Sequence, residues 1–261
     1  MDIFVCIKQV PSTNKVQVDE KTGVLKRSGI QSKMNPYDLY ALETAFRLKA
    51  LHGGTVTVGT MGPPQAQAII REAYMMGADD GYVFSDRRLG GADVLATSYT
   101  LSQAIQSVGD FDLILCGKQT TDGDTAQVGA EIAEFLGIPH AANVQSVEIA
   151  DGYAAVRVNM EQSVLLQRLP MPCLLCTEGE INTPRLPSYR RKKQTPDDAV
   201  SVSTLADFDD QDETHYGLTG SPTQVEKIFP PEKNQSKQML SGDGEVLAGQ
   251  IADILRRGKF I

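Results

Sequence analysis

Apolar residues in this chain come either as short continuous runs or at helical spacing, and the two kinds alternate. Runs at Ile3–Ile7, Thr55–Thr60, Gly81–Phe84, Leu113–Cys116 and Pro172–Thr177 are each bounded by polar or glycine-containing stretches, the pattern of strands buried on both faces. Between them, Leu39, Leu42, Phe46 and Ala50 repeat at helical spacing and stop at Gly53-Gly54, and Ala68, Ile69, Ala73 and Met76 do the same before Gly77. Val94–Ile105 is a third helical repeat, and Val128–Leu136 a fourth that ends at Gly137 and Pro139. This alternation predicts an α/β fold, a mainly parallel sheet with helices on both faces. Asp151-Gly152 lies between two alternating runs in "QSVEIADGYAAVRVN" and predicts a β-hairpin.

The pattern changes after about residue 185. "PRLPSYRRKKQTP" reads as a proline-bounded basic loop, followed by the acidic, polar "DFDDQDETHYGLTGSP" and by "FPPEKNQSK". Too few apolar residues remain there for a separate core. A final amphipathic helix is expected over Glu245–Arg256, with Val246, Leu247, Ile251, Ile254 and Leu255 on one side. The expected organisation is an α/β domain over 1–193 and a C-terminal arm over 194–261 whose helix docks on a partner.

Composition narrows the class. The 261 residues are 41% hydrophobic and 22% charged, with a formal net charge of −8, ordinary for a globular chain and wrong for general nucleic-acid binding, which needs clustered Lys and Arg. No apolar run approaches the roughly 20 residues needed to cross a bilayer. "MDIFVCIKQV" starts directly as a strand, without the basic region of a signal peptide, so no membrane association and a cytoplasmic location are expected. Cys6, Cys116, Cys173 and Cys176 all lie in apolar runs. Cys173 and Cys176 form C-x-x-C, but inside a strand positions three apart face opposite ways, and no second pair or nearby His completes a zinc site. The expectation is core cysteines and no metal.

Chemistry is expected at the carboxyl ends of the parallel strands, where ligands of open α/β sheets bind. Three polar segments fall there: "CIKQVPSTN", "MNPYD" and "GKQTTDGDTAQVG". Asn35 reads as a helix N-cap, with Pro36 at the first helical position and Asp38 three residues on; Asp124, three before Gln127, is a second capping signature. Gly117, Gly123 and Gly129 allow close backbone approach, and a helix N-terminus suits a phosphate. Asp122 and Asp124 better suit capping amides or ribose hydroxyls than phosphate. Simple helix capping and nucleotide binding both fit these residues, because neither a P-loop nor a Rossmann G-x-G-x-x-G is present. His52, His140 and His215 show no metal spacing, and no catalytic triad stands out.

Taken in order, "VCIKQVP", "MNPYDLYALETAFRLK", "TMGPPQAQAIIREAYMMGAD", "GKQTTDGDTAQVG" and "INTPRLPS" resemble the beta subunit of electron-transfer flavoproteins, from residue 1 to about residue 193. The resemblance implies an adenine-nucleotide alpha-hydrolase-like fold and a heterodimer with an alpha subunit that carries the electron-transferring FAD. It implies a second adenine nucleotide on this chain, touching Cys6, Asn35, Pro36, Tyr37, Asp38, Met61 and the loop Gly117, Lys118, Gln119, Thr120, Thr121, Asp122, Gly123, Asp124, Thr125, Ala126, Gln127, Val128 and Gly129. The "DGDTAQVG" form is similar to the anaerobic, electron-bifurcating members, in which FAD replaces the AMP of the respiratory members. There the beta flavin takes hydride from NADH and sends one electron to ferredoxin or flavodoxin. The other electron passes through the alpha flavin to a flavin-dependent dehydrogenase, of acyl-CoA or 2-hydroxy-acid type. No side chain is expected to act as a general acid or nucleophile. Leu186, Tyr189, Arg190 and Arg191 are the expected docking residues for the dehydrogenase. The same sheet architecture also resembles ATP-binding stress proteins, but "KQVPSTN" lacks the glycine of a phosphate-activating loop.

Overall fold

The computed structural model describes residues 1–12, 32–196, 199–226 and 237–261. Thr13 and Asn14 of the first polar segment, and most of "FPPEKNQSK", lie outside the described residues. The strands are β1 (Ile3–Cys6), β2 (Gln9–Pro11), β3 (Ser32–Met34), β4 (Val56–Met61), β5 (Asp80–Phe84), β6 (Leu113–Gly117), β7 (His140–Ala150), β8 (Tyr153–Asn159), β9 (Val164–Pro170), β10 (Cys173–Thr177) and β11 (Ser201–Ser203). The helices are α1 (Pro36–His52), α2 (Gln67–Met76), α3 (Val94–Val108), α4 (Val128–Leu136), α5 (Tyr189–Gln194) and α6 (Gly244–Arg257).

Among the described residues, nine strands form one sheet in the order β11-β5-β4-β1-β6-β10-β7-β8-β9. It is parallel from β11 to β7 and antiparallel across β7, β8 and β9. The short strands β2 and β3 pair separately. Apolar side chains alternate across the sheet as a two-residue period requires. Ile3, Val5, Leu113 and Leu115 pack with Ala41, Leu42, Ala45 of α1 and Ile69, Ile70 of α2. Phe4, Ile114 and Cys116 pack on the other face with Leu101, Ala104 and Ile105 of α3 and Ile132, Ala133 of α4. The helices therefore change face between β1 and β6, which is the topological switch point where ligands of such sheets bind.

Three elements differ from expectation. The predicted hairpin at Asp151-Gly152 forms, but β9 extends it to a three-stranded meander; Val164, Leu165 and Leu166 of β9 are exposed and do not alternate, so no strand period marks them. Tyr189–Gln194 is a short helix where a loop was expected, its amide at Arg191 capped by the Ser188 hydroxyl. Residues 199–226, placed by the sequence in the arm, return to the sheet: β11 pairs with β5, and Leu205, Phe208 and Tyr216 are buried in the core shared with α3 and α4. A polar segment needs no core of its own when a few large side chains enter an existing one. In α6, by contrast, no residue is buried, and Val246, Ile251 and Leu255 are exposed.

Candidate functional site

The three polar segments meet at the carboxyl ends of β1 and β6. Lys8, two residues beyond β1, donates its amide to Asp38 Oδ2 at 2.7 Å and its ammonium to both carboxylate oxygens of Asp122, at 2.8 and 2.9 Å. Asn35 donates its side-chain amide to Asp38 Oδ1 at 2.8 Å and to the Gln119 carbonyl at 2.9 Å, and accepts from the Thr121 amide at 3.3 Å. Asn35 occupies the N-cap position with Pro36 behind it, as expected, but its side chain makes no cap bond. Its amide is spent on tying the 117–129 loop to α1 instead. Burial pushes the Asp38 carboxyl up to about 7, against the opposing hydrogen bonds from Asn35, the Lys8 amide and the Gly117 amide.

Asp124 does not cap α4. Its backbone is left-handed, with φ 55°, which turns it away from the helix start, and its carboxylate accepts from the Gln119 side chain. The N-cap of α4 is Gln127, which makes no side-chain cap bond, so that residue leaves the first-turn amides of Val128, Gly129 and Ala130 without a side-chain acceptor from itself. Asp122 likewise is engaged by Lys8. Burial raises its carboxyl, but the Lys8 ammonium, with help from Thr120, brings it below the ordinary carboxylate value. Ala126 is also left-handed, with φ 56°. Non-glycine residues in that region are uncommon and concentrate at ligand-binding loops. Thr121 through Gln127 are all exposed.

Two of the three loop glycines are required by packing. A Cβ on Gly117 would stand 2.7 Å from the Tyr37 carbonyl carbon, and one on Gly129 would run into Cys176 Sγ. Gly123 is different: its φ is outside the left-handed region, and a Cβ there would meet only Thr120 Oγ1, at 3.3 Å. Neither protein packing nor a left-handed backbone therefore requires glycine at position 123. Cys6 is half-buried at the end of β1; Cys116 and Cys176 sit opposite each other in register on β6 and β10. Their thiol contact and burial hold the Cys176 thiol well above its ordinary value, so it stays protonated. Cys173 belongs to the opposite core from Cys176, as the strand period predicts, and no metal-binding cluster occurs among the described residues.

Met61 ends β4, one strand away from β1, partly buried against the α3–α4 core; it is at the correct edge but outside the hydrogen-bonded set. Lys8 was not singled out in the sequence, although a lone cation directly after a buried strand was a visible signal. Lys118 turns from the loop to Glu178, at 3.2 Å. On the opposite flank, Leu186 and Tyr189 are 87% and 70% exposed, and Arg190 and Arg191 are exposed on α5. Arg185, at the start of the basic stretch, is paired: its guanidinium meets both Glu43 oxygens, at 2.7 and 3.2 Å, and lies over Phe46.

Comparison with known proteins decides the family. The electron transfer flavoprotein domain matches residues 22–206. The chain belongs to the electron transfer flavoprotein family. It is 43% identical to the caffeyl-CoA reductase-Etf complex subunit CarD of Acetobacterium woodii, over the whole of both chains. It is 40% identical to the electron transfer flavoprotein subunit beta of Megasphaera elsdenii, again over all of both chains, and 36% identical to the protein FixA of Azorhizobium caulinodans, over 98% of this chain and 95% of that one. Within the family it is thus similar to beta subunits, which pair with an alpha subunit. Among the described residues no helix is long and apolar enough to cross a membrane.

Proposed function

We propose that this chain, as the beta subunit of an electron-transfer flavoprotein heterodimer, binds FAD between the ends of β1 and β6. In this reading it takes part in oxidising NADH, with electrons divided between ferredoxin or flavodoxin and a flavin-dependent dehydrogenase of acyl-CoA or 2-hydroxy-acid type. The observation that carries the reading is the junction itself. Asn35, Asp38 and Lys8 hold an exposed loop with two left-handed residues at the start of α1, and the loop runs into α4, whose first turn gets no side-chain cap from Gln127. Main-chain amides at a helix N-terminus are the donors a pyrophosphate needs. The CarD relative, named for a caffeyl-CoA reductase complex, supports a CoA-linked acceptor.

The flavin supplies hydride acceptance and electron transfer; the chain's residues position it. Asn35 sets the height of the loop over α1. The amides of the first α4 turn balance phosphate charge, and Gly117 and Gly129 let the loop's two ends lie against α1 and β10. The expected docking surface for the dehydrogenase is Leu186, Tyr189, Arg190 and Arg191, and α6 is proposed to lie on the alpha subunit. AMP in place of FAD is the alternative at the same site, and the ordinary geometry of Gly123 does not select between one phosphate and two. Denaturing the purified heterodimer and counting released nucleotides tests the proposal. Two FAD and no AMP are expected; one FAD with one AMP would remove bifurcation and leave a simple electron carrier.

A further inference from the structure

The Lys8–Asp122 pair joins two segments whose anchorage is unequal. Lys8 is fixed through its main chain: its amide donates to the buried Asp38 carboxylate at 2.7 Å, and its carbonyl accepts from the Asn35 amide at 2.9 Å. Asp122 stands in the run of exposed residues from Thr121 to Gln127, and its carboxylate is held by the Lys8 ammonium through both oxygens. Lys118, the lysine on the loop itself, is turned away to Glu178. A cation whose main chain is fixed thus holds a carboxylate in an exposed loop that leads into α4, whose N-cap Gln127 makes no side-chain cap bond.

A carboxylate bound through two oxygens presents a lysine with the arrangement that two phosphate oxygens would present, and a phosphate carries more charge. Asp122 and a phosphate cannot both sit at Lys8 without like-charge repulsion. The geometry points to Lys8 as the phosphate-binding cation of this site and to Asp122 as its resident counter-ion, so that arrival of a phosphate exchanges one anion for the other and frees the middle of the loop from β1. No covalent change accompanies the exchange; one ion pair replaces another. The inference deepens the nucleotide-site reading above and rests on it. A consequence follows: Asp122 holds the middle of the loop at Lys8, and a phosphate must displace that pair to bind.

A double-mutant cycle on the full chain tests this. Wild type, Lys8→Met, Asp122→Asn and the double variant, each dialysed free of nucleotide, are titrated with ADP and with adenosine by calorimetry. Asp122→Asn is expected to tighten ADP by about two- to fivefold, the range an exposed ion pair is worth, and to leave adenosine unchanged. Lys8→Met is expected to weaken ADP and to abolish the gain from Asp122→Asn; Lys8→Arg, which keeps the cation, restores it. If ADP binds but Asp122→Asn tightens it equally with and without Lys8, or tightens adenosine as much, the exchange is wrong while the nucleotide site stands. If ADP binds to none of the folded proteins, the site reading fails and takes the exchange with it.

Discussion

Replacing Gly117 by alanine tests whether the packing of β6 against the start of α1 sets the candidate loop. The new Cβ would lie 2.7 Å from the Tyr37 carbonyl carbon and 2.9 Å from the Asp38 nitrogen, and closer still to Asp38 Oδ1. Carbon contacts are comfortable at about 3.5–4.0 Å, so one side must retreat by roughly an ångström. Two of the three obstructing atoms are main chain of the first α1 turn, and no rotamer change moves them. Overpacking of this kind costs about 1–3 kcal/mol. Weakening the Asp38 bonds to the Lys8 and Gly117 amides adds about 1 kcal/mol. The expected loss of about 2–4 kcal/mol is a large share of a typical total of about 5–15 kcal/mol. Urea unfolding followed by circular dichroism reads it as a fall in midpoint at unchanged slope, and ADP affinity should fall about tenfold or more as the loop shifts. Gly123→Ala is the control: its Cβ meets only Thr120 Oγ1, and it should stay within about 0.5 kcal/mol of wild type. Equal midpoints for Gly117→Ala and wild type, or a larger loss from Gly123→Ala, would refute the reasoning.

Ending the chain after Gly242 removes α6, whose Val246, Ile251 and Leu255 are exposed together with Phe260 and Ile261; co-purification with the alpha subunit should weaken while the sheet domain keeps its circular dichroism spectrum. Reversing Arg190 and Arg191 to Glu should slow electron delivery to the dehydrogenase at low salt and leave bound flavin unchanged, because exposed charges act mainly on association rate; rates equal to wild type at low salt would remove these residues from the docking surface. His215 Nδ1 donates to Asp210 Oδ2 at 2.6 Å, in an acidic surround that includes Asp212. Asp210, which also accepts from the Tyr99 hydroxyl, is held down to about 2 by Tyr99 and His215, and the imidazole in turn is raised above its ordinary 6.5 chiefly by Asp210. The folded pKa is raised, so this contribution is fully present below pH 6.5 and is lost as pH rises through the folded value. Amide-exchange protection over residues 210–217, relative to the intrinsic exchange rate at each pH, should fall across that window in wild type and show no such step in His215→Gln.

The parts of the fold that were legible in the sequence are those whose burial is doubled. The runs that became β1, β4, β6 and β10 are apolar on both faces because helices cover both, and such runs stand out in any order of reading. β11 and α5 were not legible. Three residues paired to β5 are too few to show a period, and the six residues of α5 bury no side chain. Phe208 and Tyr216 sit in an acidic stretch, and only the sheet edge they return to decides that they are core. In the site, the three segments could be placed at one edge by topology alone, and the resemblance gave that edge a ligand class. Which side chains join there could not be read, because Lys8 and Asp122 are 114 positions apart. Asn35 illustrates the same limit: its position as N-cap was correct, yet its amide goes to Gln119, 84 residues away, an acceptor that no local signature contains.

The position of the candidate site nevertheless follows from a feature the sequence does contain. Ile3 and Val5 face the α1–α2 layer, while Phe4 faces the α3–α4 layer and Cys6 packs against it; Leu115 and Cys116 of β6 divide in the same way. Because α1 leaves β1 toward one face and α4 leaves β6 toward the other, the two connections diverge and a crevice opens between neighbouring strands. Both helix N-termini then point to a common edge. Of the two, α1 is closed by Pro36, which offers no amide, and by the engaged Asn35 and Asp38; α4 begins at Gly129's close contact with β10 and carries no cap from Gln127. The asymmetry assigns the two helices separate tasks. α1 provides the wall that holds the loop and Lys8, and α4 is the helix that Gln127 leaves without a side-chain cap, so the proposed nucleotide is expected to place its phosphates at the α4 end, on the side where Asp122 and Lys8 meet.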